Sequence, residues 1–480
     1  MQNPWIQYVI IAVYFVFIVT KGIRRSKHIR DSDDFLVAGR SIGWFFLFCT
    51  MGATVIGGGA STGAVGRTYE WGVLMLAVSS GWYIHFIFSG LFVAPHFRKA
   101  ELYTVAGYFG HRYGPKSRFV AFILSLLFSI GVLGAQMVAF GKIITTMIPQ
   151  LSYFWAVTIG GGIVILYSTA GGLLAVIHTD VYQFIILIAG FAVTLVLCIP
   201  DLLDSAGRIS VVVPAEFFQL EGGKGWLFLV TTFIAFLLGE TFAPGYATRY
   251  CVAKNIKETK KGIVGAGVFL AFTFPVILFF IALYARLHFP DIDAEMALPK
   301  TIVSLNNPFV GGLIIAALMS AVMSSADSIL NSSTAIFVKD LYEQYIAGSK
   351  TNSRKGLLIA RISSVVLGGL GILLALVLPN VIDLLLLTYN LWAPGIILPV
   401  IFGVFSKQKS KTLNNIIFST MVISTAATIG YMNTAYKQVI QPSVFGVAVS
   451  SITFLTLKNI LRVDFRGLKG LFNRKSDHSS

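Results

Sequence analysis

A chain of 480 residues is long enough for several soluble domains, yet 56% of it is hydrophobic, 12% is charged, and the mean hydropathy is +0.78. A soluble protein carries about 25% charged residues, so the composition excludes a disordered chain, a nucleic-acid module and, with 3 Cys, a disulfide scaffold. The net charge of +16 then has to be explained by where Lys and Arg lie.

A helix needs about 20 apolar residues to cross a bilayer. In lipid its backbone groups must be satisfied within the segment. Thirteen stretches meet this in chain order: 5–20, 42–66, 71–95, 119–147, 153–171, 176–200, 226–248, 263–285, 307–338, 357–379, 381–405, 413–432 and 438–457. The first has no basic residue before it and no small-residue cleavage site, so it reads as a span rather than a targeting peptide. The connection 201–225, about 25 residues long, is the longest between spans and carries no long amphipathic pattern.

Charge sets the orientation. Of 37 Lys and Arg, 30 fall in 21–40, 98–118, 249–261, 339–361, 407–411 and 458–475. These are alternate connections, and basic connections stay cytoplasmic. The pattern predicts a multi-pass protein of the plasma (inner) membrane, N-terminus outside and C-terminus inside. The basic tail 458–480 reads as a solvated end. Cys49, Cys198 and Cys251 show neither metal nor disulfide spacing.

Two spans are interrupted. The second contains Gly57-Gly58-Gly59, and the seventh contains Gly239-Glu240 and Pro244-Gly245. Each glycine loses about 1 kcal/mol of helix propensity relative to alanine, and Pro244 removes a backbone donor. Such breaks free carbonyls for a cation, and paired breaks in the two halves of a chain point to a transporter site. Asp180, Glu240 and Asp327 fall at or inside apolar segments, where a bare carboxylate costs about 2.5–3.5 kcal/mol. In the ninth span, Ser320, Ser324, Asp327, Ser328 and Asn331 stand at relative positions 0, 4, 7, 8 and 11, one helical face. Hydroxyls and a carboxylate are hard ligands that suit an alkali or alkaline-earth cation. No His/Glu metal motif, nucleophile elbow or nucleotide loop is present, so no enzyme is expected.

At these residues the chain resembles the sodium/solute symporter family, which has the leucine-transporter-type fold. Asp34-Phe35 with Ala38-Gly39-Arg40, Ala53 through Tyr69, Thr179-Asp180-Val181-Tyr182-Gln183, Arg249-Tyr250 with Asn255 through Lys260, and Met323-Ser324-Ser325-Ala326-Asp327-Ser328 with Lys339-Asp340-Leu341-Tyr342 carry the resemblance in order. It implies an all-α polytopic membrane protein of 13 transmembrane helices with an inverted 5+5 repeat core: an extra helix at 5–20, repeats at 42–200 and 226–405, two helices within 413–457, and the tail. It implies a main sodium site of Ala53, Ile56 and Ala321 carbonyls with Ser324 and Ser325 hydroxyls. A second sodium or proton site would use Asp180, Ser324, Asp327 and Ser328. The motifs are nearest those of the choline-transporter-like branch. Its aromatic cage is lacking, with Val55, Ala243 and Ala139 where its tryptophans are expected, while Trp82 remains. The polar residue that sugar- and sialic-acid-type relatives place at the break is missing at Gly57 and Ala60.

The resemblance therefore implies a sodium-coupled importer of a small organic solute (an amine, an amino acid or a carboxylate) using one or two Na+ and no organic cofactor. The partners expected are that solute and the lipid bilayer, with no nucleic acid, and the unit is a monomer. By position, Gly57, Gly58, Ala60, Trp82, Gln136, Glu240, Tyr246 and Asn390 are the candidates for lining the substrate pocket. The glycines would leave room for a compact substrate. Glu240 either faces the pocket, where it would favour an amine, or serves a neighbouring helix as a hydrogen-bond acceptor. Alternatives are a proton-coupled carrier using Asp180 or Asp327 and a channel-like permease.

Overall fold

The computed structural model describes residues 4–26, 40–99, 104–347, 353–406 and 408–461. The Asp34-Phe35 motif and the basic tail from 462 lie outside them. Helix α1 (Pro4–Ser26) is followed by α2 (Trp44–Val55), a π-helical turn at Gly59–Gly63 and α3 (Ala64–Trp71). Next come α4 (Val73–Phe88), α5 (Val105–Tyr113), α6 (Pro115–Met147) and α7 (Tyr153–Asp204). A second interrupted pair, α8 (Trp226–Gly239) and α9 (Pro244–Tyr250), leads into α10 (Ile256–His288), α11 (Ala297–Leu305) and α12 (Pro308–Ile336). Helices α13 (Ser353–Val377), α14 (Val381–Phe405), α15 (Lys411–Tyr431) and α16 (Pro442–Ile460) complete the chain.

Among the described residues, nine helices are long and apolar enough to cross a membrane, eleven if each bent pair is one span. Trp5–Phe17 and Tyr153–Leu166 are shorter apolar helices. Two spans were expected between 153 and 200, and the backbone there is helical from Tyr153 to Asp204. No proline stands between 153 and 199 to end the helix.

Both breaks follow from local chemistry. Ile56 leaves the helix at φ −81°, ψ 52°, and the chain turns by 60° between α2 and the segment Gly59–Trp71. The bend between α8 and α9 is 48°. There Pro244 is the first residue of α9, where its missing N–H costs nothing. Ala243 before it is extended at ψ 146°, as the proline ring requires. Phe242 is held in the left-handed region at φ 63° and is buried, a conformation that costs a β-carbon-bearing residue about 1–3 kcal/mol. Asn255, Asn307, Asn380 and Ser410 cap the following helices by accepting from a backbone N–H.

Helix α12 is the axis of the molecule: every residue from Ile314 to Ile336 is buried. A helix enclosed on all sides can carry a polar stripe only if other protein groups answer it. The periphery is the reverse. Leu358, Ile362, Val365, Leu373 and Val377 of α13 are exposed and apolar, a face suited to acyl chains.

Candidate functional site

The first break meets α12 at Ser325. The last carbonyls of α2 have no partner further along the helix, and the Ser325 hydroxyl donates to the Thr54 carbonyl at 2.7 Å and lies 3.3 Å from that of Ala53. One residue earlier, Ser324 donates to Oδ1 of Asp180 on α7. So of the five residues of the implied main sodium site, Ala53 and Ser325 meet directly, Ser324 turns to Asp180, and Ile56 and Ala321 are buried.

The other carboxylate oxygen of Asp180 accepts from Thr50 of α2 and lies 3.5 Å from Nη2 of Arg249. Arg249 also donates to Thr50 at 3.0 Å, to the Gly245 carbonyl at 3.1 Å and to Ser328. The guanidinium is fully buried. It thus stands among Asp180, Ser324 and Ser328, three of the four residues of the implied second ion site. The fourth, Asp327, accepts from Ser168 of α7 instead. Arg249 was counted with the cytoplasmic loop charges, and the structure corrects that. Its signal in the sequence is faint: a basic residue only five positions after the helix-breaking Pro244.

A cavity adjoins this junction, lined by Thr54, Val55, Gly59, Ala60, Trp82, Phe128, Val132, Gln136, Glu240, Ala243, Gly245, Tyr246, Ser325, Ile329 and Leu385. Its room for the centre of a water-sized molecule is about 20 Å³, close to what a single water needs. Of the pocket candidates, Ala60, Trp82, Gln136, Glu240 and Tyr246 are in this wall. Gly57 and Gly58 are not. A β-carbon at Gly57 would meet Gln136 Oε1 at 2.5 Å, and one at Gly58 would collide with Ala139. These glycines serve close packing rather than leaving room for a solute. Gln136 fixes them further, since its side-chain oxygen accepts from the Gly58 N–H at 2.7 Å. Asn390 is also elsewhere: it accepts from the Ser443 N–H at 2.8 Å, holding the start of α16.

Glu240 does both things the sequence left open. It faces the cavity, and its carboxylate accepts from Tyr246 at 2.5 Å and from Tyr389 at 2.7 Å. Trp82 in turn donates to Tyr389 at 2.9 Å. Tyr389 and Phe128 are structural members of this group that spacing alone did not single out.

Ion pairs and hydrogen bonds tie the helices together toward both ends of the bundle. On one side Arg67 of α3 pairs with Glu70 and with Asp383 at the start of α14, Lys142 pairs with Asp293 at 2.5 Å, and Glu295 Oε1 accepts from the Val381 N–H at 2.6 Å. Burial pushes the Glu295 carboxyl up to about 7. On the other side Arg118 pairs with Asp340 at 2.8 Å, and Thr104 donates to Asp340 at 2.6 Å. There too Ile42 bridges Ala253 by backbone hydrogen bonds to Val252 and Lys254.

A family model described as "Sodium:solute symporter family" matches residues 35–414. The high-affinity choline transporter 1 of Drosophila melanogaster is 26% identical over 400 residues, 80% of this chain and 63% of that protein, so the chain spans under two thirds of that relative's length. The sodium/sialic acid symporter NanT of Aliivibrio fischeri is 28% identical over 391 residues, 76% of this chain and 75% of that one. The sodium/proline symporter of Staphylococcus aureus is 26% identical over 388 residues, 77% and 75%. In fold, the chain is similar to a Na+-coupled sialic acid symporter solved in a substrate-bound outward-open state, with a TM-score of 0.78, 21% identity and coverage of 94% and 98%. It is also similar to MhsT in complex with L-phenylalanine, with a TM-score of 0.57, 14% identity and coverage of 86% and 99%.

Proposed function

This chain belongs to the sodium:solute symporter family, and from that premise we propose that it is a sodium-driven carrier that takes up a small organic solute by alternating access. The family consists of membrane transporters, not enzymes. One observation carries the reading: the Ser325 hydroxyl on α12 reaches the Ala53 and Thr54 carbonyls at the broken end of α2. When Na+ binds, that hydroxyl turns a lone pair inward, and the carbonyls of Ala53, Ile56 and Ala321 with the hydroxyls of Ser324 and Ser325 form a hard-oxygen shell. Thr54, Val55 and Ser325 also line the cavity. Ordering the break around the ion therefore shapes the solute's pocket. Each ligand raises the affinity for the other by the same factor.

Asp180 balances the charge of Arg249 and orients Ser324, which leaves one coupled sodium ion. Trp5–Phe17 and the Tyr153–Leu166 part of α7, taken as a span separate from Val176–Asp204, bring the eleven spans to thirteen. The bent spans α2–α3 and α8–α9 head two inverted repeats, 42–200 and 226–405, that rock against each other about the site. Sodium-stimulated uptake in vesicles tests this. Ser325→Ala should weaken sodium affinity about tenfold or more, since a bond to a charged group contributes about 1.5–3 kcal/mol. Unchanged sodium dependence would overturn the assignment. One observation favours a second reading, proton coupling: Asp327 is buried against a neutral hydroxyl, that of Ser168. Uptake at acid pH without sodium would establish it.

A further inference from the structure

Resting on the carrier reading above, we infer that the solute is a compact organic cation and that Glu240 is the residue that selects it. The carboxylate lies in the cavity wall, and both of its oxygens are oriented by tyrosine hydroxyls: Oε2 by Tyr246 at 2.5 Å and Oε1 by Tyr389 at 2.7 Å. The second tyrosine is held in place by the Trp82 indole N–H. Phenols are neutral donors. They orient the carboxyl group and bring no counter-charge of their own.

No basic side chain answers it. Among the described residues no Lys, Arg or His lines the cavity, and no ion pair includes Glu240. The Arg249 guanidinium, the nearest in sequence, is committed to Asp180 and Ser328. A carboxylate in a membrane interior calls for a cation, and the open side of Glu240 is the cavity. What faces it there is aromatic: Trp82, Phe128 and Tyr246. Ring faces attract an ammonium group and add to the pull of the carboxylate.

The chemistry also excludes. With no cationic side chain in the wall, a free carboxylate on the solute would meet Glu240 unpaired, and like charges at that depth repel. The space as it stands is about that of one water, so a solute with more than a bare ammonium head enters only when the surrounding helices move apart. The cavity departs from an all-aromatic cage in one respect that matters: Val55 and Ala243 bring no rings, and the Glu240 carboxyl group stands in the wall instead.

The test is thermal stabilisation of the purified full-length protein with and without sodium. The probes are ethanolamine and tetramethylammonium as cations, ethylene glycol and tert-butanol as neutral counterparts of similar size, and propionate as an anion. At least one cation should bind tenfold or more tightly than its neutral counterpart in sodium. Glu240→Gln should lose that advantage, and Glu240→Asp, which keeps the charge, should retain it. The unliganded melting curve of each variant reports folding. Equal binding of the neutral probes, preference for propionate, no binding of either cation, or an unchanged cation advantage in Glu240→Gln would each overturn the inference. Sodium alone should stabilise the wild type and Glu240→Gln alike. A wild type that ignores sodium speaks against the coupling mechanism, whatever the cations do.

Discussion

The Asp180 carboxylate and the Arg249 guanidinium are both fully buried and 3.5 Å apart. Taking two charges out of water is repaid only when hydrogen bonds satisfy the rest of both groups, and here Thr50, Ser324, Ser328 and the Gly245 carbonyl supply them. Removing one partner leaves the other charge bare. Asp180→Asn should therefore cost about 3–5 kcal/mol of stability, seen as a lower melting temperature in detergent. The double variant Asp180→Asn/Arg249→Met should recover part of it. A single variant as stable as the wild type would show that the pair is not ionised. At this scale the sequence was informative about types and silent about partners. The spacing of Ser324, Asp327, Ser328 and Asn331 placed them on one face, but Asp327 turned to Ser168 while Ser324 turned to Asp180.

At the scale of elements, the first broken helix and the start of α14 are joined through Glu295. The turn that carries it packs beside Gly66 of α3, where an added β-carbon would lie 2.8 Å from the Ala294 carbonyl. Glu295 itself holds the first N–H of α14 at Val381. When the gate opens, an exposed glutamate titrates near its ordinary value of about 4.3, while in the closed gate it titrates at about 7. The closed state therefore binds the proton more tightly. Its advantage is fully present below about pH 4.3 and is lost as pH rises through about 7. Outer closure should strengthen on acidification across that window, and Glu295→Gln should flatten the dependence. Labelling of a Val55→Cys reporter by an external thiol reagent, followed against pH, measures this, and the native cysteines are all buried. Identical profiles for variant and parent would remove Glu295 from the gate. The breaks themselves were legible because glycine and proline act locally. The strained Phe242 beside Pro244 was not, because no sequence rule places a left-handed phenylalanine.

For the molecule as a whole, orientation and coupling are the claims at stake. Lys254 and Lys437 are exposed and lie in connections predicted to face opposite sides. Lys254→Cys should react only with reagent on the cytoplasmic side, and Lys437→Cys only with reagent outside. The reverse result would invert the topology.

The amino-acid sequence by itself determined the solvent, the approximate number of spans, the places where helices break and the face on which hydroxyls gather. All of these are set within a few turns of chain by hydropathy, by glycine and proline, and by helical period. Only the tertiary structure decided that Arg249 sits where a second ion was expected, that Gly57 and Gly58 are packed shut, and that Asn390 belongs to another helix. It also decided that Glu240 finds Tyr389, 149 residues away. Periodicity tells a side chain which way it faces along its own axis. Which helix stands opposite is settled by the packing of the whole bundle, and that is where the charges of this protein find, or lack, their partners.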